Sequence, residues 1–99
     1  SLYIGKDVIV RSYNEGVNFG QVVAADDTGV VLKDARRLWW HRPAAKEAAW
    51  YEGVAKHGPA DDCKIAVAVD KVIVEDYSMT VCTDEAAKML REAKSYAQD

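Results

Sequence analysis

"KDVIVRSYNEGVNFGQVVAADDTGVVLKDARRLWW", Lys6 to Trp40, reads as three strands joined by two short turns. In KDVIVRSY, Lys6 to Tyr13, alternation sets Val8, Val10 and Ser12 on one side and Ile9, Arg11 and Tyr13 on the other, and β-branched residues dominate. NEG, Asn14 to Gly16, is a turn signal. VNFGQVVAA follows as a second strand, and Gly20 inside it marks a bulge or a close backbone approach. DDTG, Asp26 to Gly29, is a second turn cluster, and VVLKDARRLWW is the third strand. Connections this short predict an antiparallel meander.

Working outward, Pro43 ends the third strand, because it lacks an N–H for the ladder and restricts the residue before it. AAKEAAWYEGVAK is rich in helix formers and predicts a short helix interrupted near Gly53. HGPADD, His57 to Asp62, is a loop. CKIAVAV and KVIVEDYSMTVC are two further strand segments divided at Asp70, the second long enough to bend. Thr83 is placed as an N-cap, with Asp84 and Glu85 in the first turn and Met89, Leu90, Ala93 and Ala97 as an apolar stripe. The expected class is α+β, mainly β with two helices, built as a decorated Greek-key β-sandwich or a small antiparallel barrel, in a single domain over 1–99.

A chain of 99 residues buries a modest core, and pairing with a copy of itself is an economical way to bury more. Its hydrophobic share of 49% and charged share of 29% suit an ordinary globular protein. No apolar run approaches the length of a membrane span, so the expected location is cytoplasmic. Cys63 and Cys82 form no CxxC pair and are expected as free thiols. The net charge of −3 argues against duplex nucleic acid but not against a small anion. Positive charge is concentrated: between Lys33 and Arg42 stand Lys33, Arg36, Arg37 and Arg42 against Asp34 alone, a local +3 before His41 is counted.

Within that window, alternation puts Arg36, Leu38 and Trp40 on one face and Arg37, Trp39 and His41 on the other. One arginine must then face a largely apolar side, where it needs a carboxylate or a bound anion. Arginine suits bidentate contact with phosphate, and an adjacent tryptophan offers a stacking face for a base. The alternative is that Trp39 and Trp40 are core or interface anchors while the arginines pair with Asp7, Asp34 or Glu15. Arg11 shares a side with Ile9 and Tyr13 and reads equally well as an exposed strand arginine. His41, His57 and Cys63, with Asp61 or Asp62, lack metal-ligand spacing, and no nucleophile-elbow, HExxH or phosphate-loop motif is present. No enzymatic activity, metal or cofactor is expected. Cys82 stands before a helix N-terminus that could lower a thiol pKa, but a small buried residue ending a strand explains it as well.

Two resemblances attach to these residues. Gly5 to Arg36, with its Gly-containing second strand and "LKDAR" ending, is similar to the first motif of Sm-like RNA-binding barrels; the later Arg-Gly signature is replaced by "VDKVIVEDYS". The four motifs VIVRSYNEGVNFG, LKDARRLWW, CKIAVAVDKVIV and CTDEAAKML resemble a family of small phage-encoded proteins that includes the Thoeris anti-defence sponges. This resemblance implies a homodimer or larger homo-oligomer with a recessed pocket that sequesters a cyclic nucleotide signal, a cyclic ADP-ribose isomer or a cyclic oligonucleotide, without cleaving it. It assigns binding roles to Arg11, Arg36, Arg37, Trp39 and Trp40, with Arg91 of the terminal helix as a further candidate. The segment after Pro43 departs from the family pattern. A single-stranded nucleic-acid module and a protein-interaction module anchored by Trp39 and Trp40 are the competing expectations.

Overall fold

β1 (Asp7–Ser12), β2 (Gly16–Asp26) and β3 (Gly29–Trp40) form the antiparallel meander that the alternation predicts. The computed structural model describes residues 2–40, 44 and 50–96, and the side chains of Trp40 and Trp50 lie outside that description. α1 (Trp50–His57) follows, then β4 (Lys64–Ile65), β5 (Val69–Ile73), β6 (Tyr77–Val81) and α2 (Asp84–Glu92). The strands make one six-stranded sheet in the order β4-β3-β2-β1-β6, with β5 beside β4 along the outer edge of β3. The protein is therefore α+β, mainly antiparallel β with two helices. Among the described residues the sheet is single and open, neither a sandwich of two sheets nor a closed barrel.

Chain length forces that sheet to curl. β5 and β6 stand at opposite edges, four strand spacings apart, a separation of ~19 Å in a flat sheet. Only residues 74–76 join them, and four extended steps reach ~14 Å at most. Bulges between Phe19 and Gln21 and between Val22 and Ala24 let the long β2 bend. Gly20 lies at the first of these: a Cβ there would stand 3.1 Å from Leu32 Cβ and 3.3 Å from Ala35 Cα, so it combines the bulge and the close approach.

The curl gives the sheet two cores. Its concave face buries Val8, Val10, Val22, Val30, Leu32 and Ile73, with Tyr77 and Met79 packed at the rim. The convex face carries Ile9, Phe19 and Leu38 against Val54 and Ala55 of α1 and Ala87 and Leu90 of α2. Ser12 accordingly sits on the concave side with Val8 and Val10, and Arg11 on the helical side with Ile9. Thr83 caps α2 as expected, its Oγ1 accepting from Ala86 N at 3.1 Å. It also ties the two helices together, because the same hydroxyl donates to Lys56 O at 2.9 Å and Thr83 N donates to Ala55 O at 2.9 Å.

Three local expectations change. α1 runs through Gly53 without a break, since Gly53, Val54 and Ala55 are all buried and tertiary packing outweighs the weak helix propensity of glycine. The part of that helix expected over 45–49 lies outside the described residues, as do His41, Arg42 and Pro43. The segment 63–82 is divided at 66–68 and 74–76, not at Asp70. Asp70 stays within β5 because its carboxylate accepts Asp34 N–H at 3.0 Å, at a bulge where Asp34 takes φ 52°. The second break is held by Glu75, whose carboxylate accepts from Asn14 N at 2.8 Å and Asn14 Nδ2 at 2.7 Å.

Candidate functional site

The register of β2 against β3 separates the two arginines of the charged window. Phe19 pairs with Arg36 and Asn18 with Arg37, so Arg36 follows Phe19 onto the helical face and Arg37 follows Asn18 onto the other. Arg36 is only 4% exposed. Its guanidinium donates to Ala66 O at 2.8 Å, to Leu90 O and Ala93 O at 2.7 Å each, and to Ser95 Oγ at 3.1 Å. The apolar side does hold an arginine, but its partners are the Ala66 carbonyl, the Ser95 hydroxyl and main-chain carbonyls at the C-terminal end of α2, with neither a carboxylate nor an anion among these contacts. The carbonyls at the end of α2 are the acceptors a helix leaves over, at the negative end of its dipole. Burial lowers the pKa of this guanidinium below its ordinary value, in keeping with its removal from water.

Arg37 sits on the opposite face with its guanidinium carbon 3.9 Å from the centre of the Trp39 ring, while Trp39 remains 59% exposed. Gly16 makes room for this stack. It takes φ 66°, and a Cβ on it would stand 3.3 Å from Arg37 Nη2. Beside the pair, Lys71 Nζ donates to Glu15 Oε1 at 2.9 Å and to Asn18 Oδ1 at 3.0 Å. Asn18 is fully buried and completes its bonding through Nδ2 to Glu15 O at 3.1 Å. Exposed Val69, the first residue of β5, pairs with Ala35 of β3, and exposed Val67 stands just before it in the chain. The outcome is a cation–aromatic platform edged by apolar surface, with its base fixed by a part-buried polar network.

The other candidate residues do not converge on it. Arg11 lies on the helical face, 5.8 Å from the Tyr51 ring. Arg91 pairs with Asp7 at 2.7 Å and stands 5.8 Å from the Phe19 ring. Trp40 ends β3, and its side chain lies outside the described residues. Among the described side chains, Arg37 and Trp39 are the two candidates that meet ring to guanidinium, while Arg36 reaches the main-chain oxygen of Arg91 at 3.4 Å. Lys71 and Asn18 were not singled out in the sequence, and Glu15 was named there only as a pairing partner for the arginines. Period-two alternation puts Lys71 on the same side as Val69, but nothing local signals that β5 crosses to the outer edge of β3.

The surface recesses are open clefts. One of about 490 Å³ at the concave mouth is lined by Asp26, Asp27 and Asp76 with Tyr3, Tyr77 and Met79, an acidic setting that disfavours phosphate. Another of about 320 Å³ joins Arg11 and Tyr13 to Asp76 and Ser78. Among the described residues no three His, Cys, Asp or Glu side chains are placed to hold a metal, and no helix is long and apolar enough to cross a membrane.

Cys82 belongs to the buried layer under the helices, where burial, together with the charge of Asp7, pushes its thiol up to about 12 from 9.0. The helix N-terminus does not activate it. Because the folded-state value is raised, the stabilisation from this group is complete below pH ~9 and is lost as the pH rises toward 12. We expect Cys82 to resist thiol reagents until the protein unfolds, and Cys82→Ala to flatten the fall in stability above pH ~9; denaturant titrations at pH 8, 9 and 10 measure this.

Among the described residues the chain is thus an open, curled antiparallel sheet backed by two helices, with an exposed cation–aromatic platform at Arg37 and Trp39. Residues 5–90 match the family model described as a domain of unknown function, DUF6948, and the chain belongs to that family. No curated protein and no solved structure matches it.

Proposed function

We propose that the protein is a non-enzymatic binding protein that captures a cyclic nucleotide signal and withholds it from its receptor, as a phage-encoded anti-defence sponge acting in the host cytoplasm. The observation that carries this reading is the Arg37–Trp39 stack beside Lys71. A guanidinium lying flat on an indole keeps its N–H edge available for phosphate, and the exposed part of the ring offers apolar contact to a base. The acidic concave mouth leaves this platform as the more favourable place for a phosphate. Sequestration needs affinity without turnover, since mass action removes the signal once the dissociation constant lies below its concentration.

The openness of the platform favours a second reading, a module that stacks the bases of single-stranded nucleic acid. The two differ in salt response and length dependence, because affinity for a strand rises with its length and falls steeply with salt.

The test is thermal unfolding against cyclic ADP-ribose isomers, cyclic di- and trinucleotides, linear nucleotides and short single-stranded RNA, followed by calorimetry on the best ligand. Arg37→Ala and Trp39→Ala are each expected to weaken binding at least ~tenfold, about 1.4 kcal/mol, while leaving the melting temperature of the free protein nearly unchanged. Denaturing the complex should return the ligand intact. Unaltered affinity in both variants removes the platform as the site. Absence of binding to every ligand in the panel leaves Trp39, Val67 and Val69 as a protein-contact surface.

A further inference from the structure

β6 is an edge strand, pairing among the described residues with β1 alone. Its register fixes which of its main-chain groups are used. Cys82 N donates to Asp7 O at 2.9 Å, one residue beyond the ladder that pairs Val8 with Val81. In an antiparallel pair alternate residues exchange bonds, so Ser78 and Thr80 bond to β1 while Tyr77, Met79 and Val81 aim their N–H and C=O away from it. Among the described residues that outer edge lacks a paired strand and the charge, proline or bulge that commonly guards one. The strand reads YSMTV, and Val81 is exposed.

We infer that the β6 edge is a homodimer interface in which two copies pair antiparallel about a two-fold axis at Met79, continuing one sheet through both protomers. The occupant follows from the charge pattern. About that axis Tyr77 meets Val81 of the partner subunit and Ser78 meets Thr80 of the partner subunit, while Asp76 falls opposite a cysteine, so no like charges oppose each other. The outward residues pair with one another and supply up to about six main-chain bonds. The other free edge, β5, is unsuited to the same arrangement, because a two-fold axis at its centre sets Lys71 against Lys71. This inference stands apart from the ligand reading, since β6 and the Arg37–Trp39 platform lie on different strands.

Sedimentation of the full chain tests it. Wild type is expected to sediment as a dimer, twice the 10.9 kDa chain mass. The pair Ser78→Lys with Thr80→Lys creates two like-charge contacts across the axis, and Ser78→Glu with Thr80→Glu creates two of the opposite sign. Each double variant alone is expected to be monomeric, and an equimolar mixture to regain the dimer mass. Hydrogen exchange on the unmodified protein gives an independent reading: the Tyr77, Met79 and Val81 amides should be protected more strongly as concentration rises. A wild-type monomer with rapid exchange at those amides overturns the interface. So does an assembly larger than a dimer, or retention of the wild-type mass by both double variants.

Discussion

Arg36→Ala is expected to lose about 3–5 kcal/mol of stability, enough to lower the melting temperature of a domain this size by more than ~12 °C. The substitution strips the carbonyls of Ala66, Leu90 and Ala93 of their donor in a setting that admits little water. It also empties the space that a 4%-exposed guanidinium had filled. Arg36→Lys should recover little, because one ammonium cannot serve acceptors spread over the β4–β5 connection and both the last turn of α2 and the residues after it. Thermal and urea unfolding measure the loss. The Arg36 result separates architecture from binding: if ligand affinity per folded molecule is unchanged in a partly folded Arg36→Ala sample, the residue holds the helix and does not touch the ligand.

Gly29→Ala is the second substitution with a large expected cost, about 3 kcal/mol. A methyl group at this position would stand 2.5 Å from the Ile73 carbonyl oxygen and 3.3 Å from Val74 Cα. Both are main-chain atoms, so no rotamer change relieves the contact. Val30 pairs with Ile73 one residue further on, and Ile73 is part of the concave core. Relief therefore requires β5 to peel from β3. The melting temperature should fall by ~12–20 °C, with the largest loss of hydrogen-exchange protection in β5.

The three-strand meander was legible because it is local: turn clusters at Asn14–Gly16 and Asp26–Gly29 separate runs whose alternation matches a pleated strand. The Thr83 cap was legible for the same reason. The division of 63–82 was not, since it is set by carboxylates reaching across the fold, Asp70 to Asp34 and Glu75 to Asn14. The opposite facing of Arg36 and Arg37 followed from alternation, yet which of them was inward depended on the β2 register and its bulge. Sequence chemistry foresaw that an inward arginine needs partners. It could not foresee main-chain carbonyls, which carry no residue signature. The platform was half legible: Arg37 and Trp39 were marked, while Lys71, Asn18 and Glu15 join them only through tertiary pairing.

β1 lies between β2 and β6, and Asp7 at its start meets Arg91 in the final helix. β1, the first strand of this domain, is thus sealed along one side by β6 and α2, some seventy residues further along the chain. On a ribosome it must wait, paired on a single side, until β6 and α2 have emerged. Such long sequence separations slow the search for the native pairing and favour folding as one late event over a growing series of stable pieces.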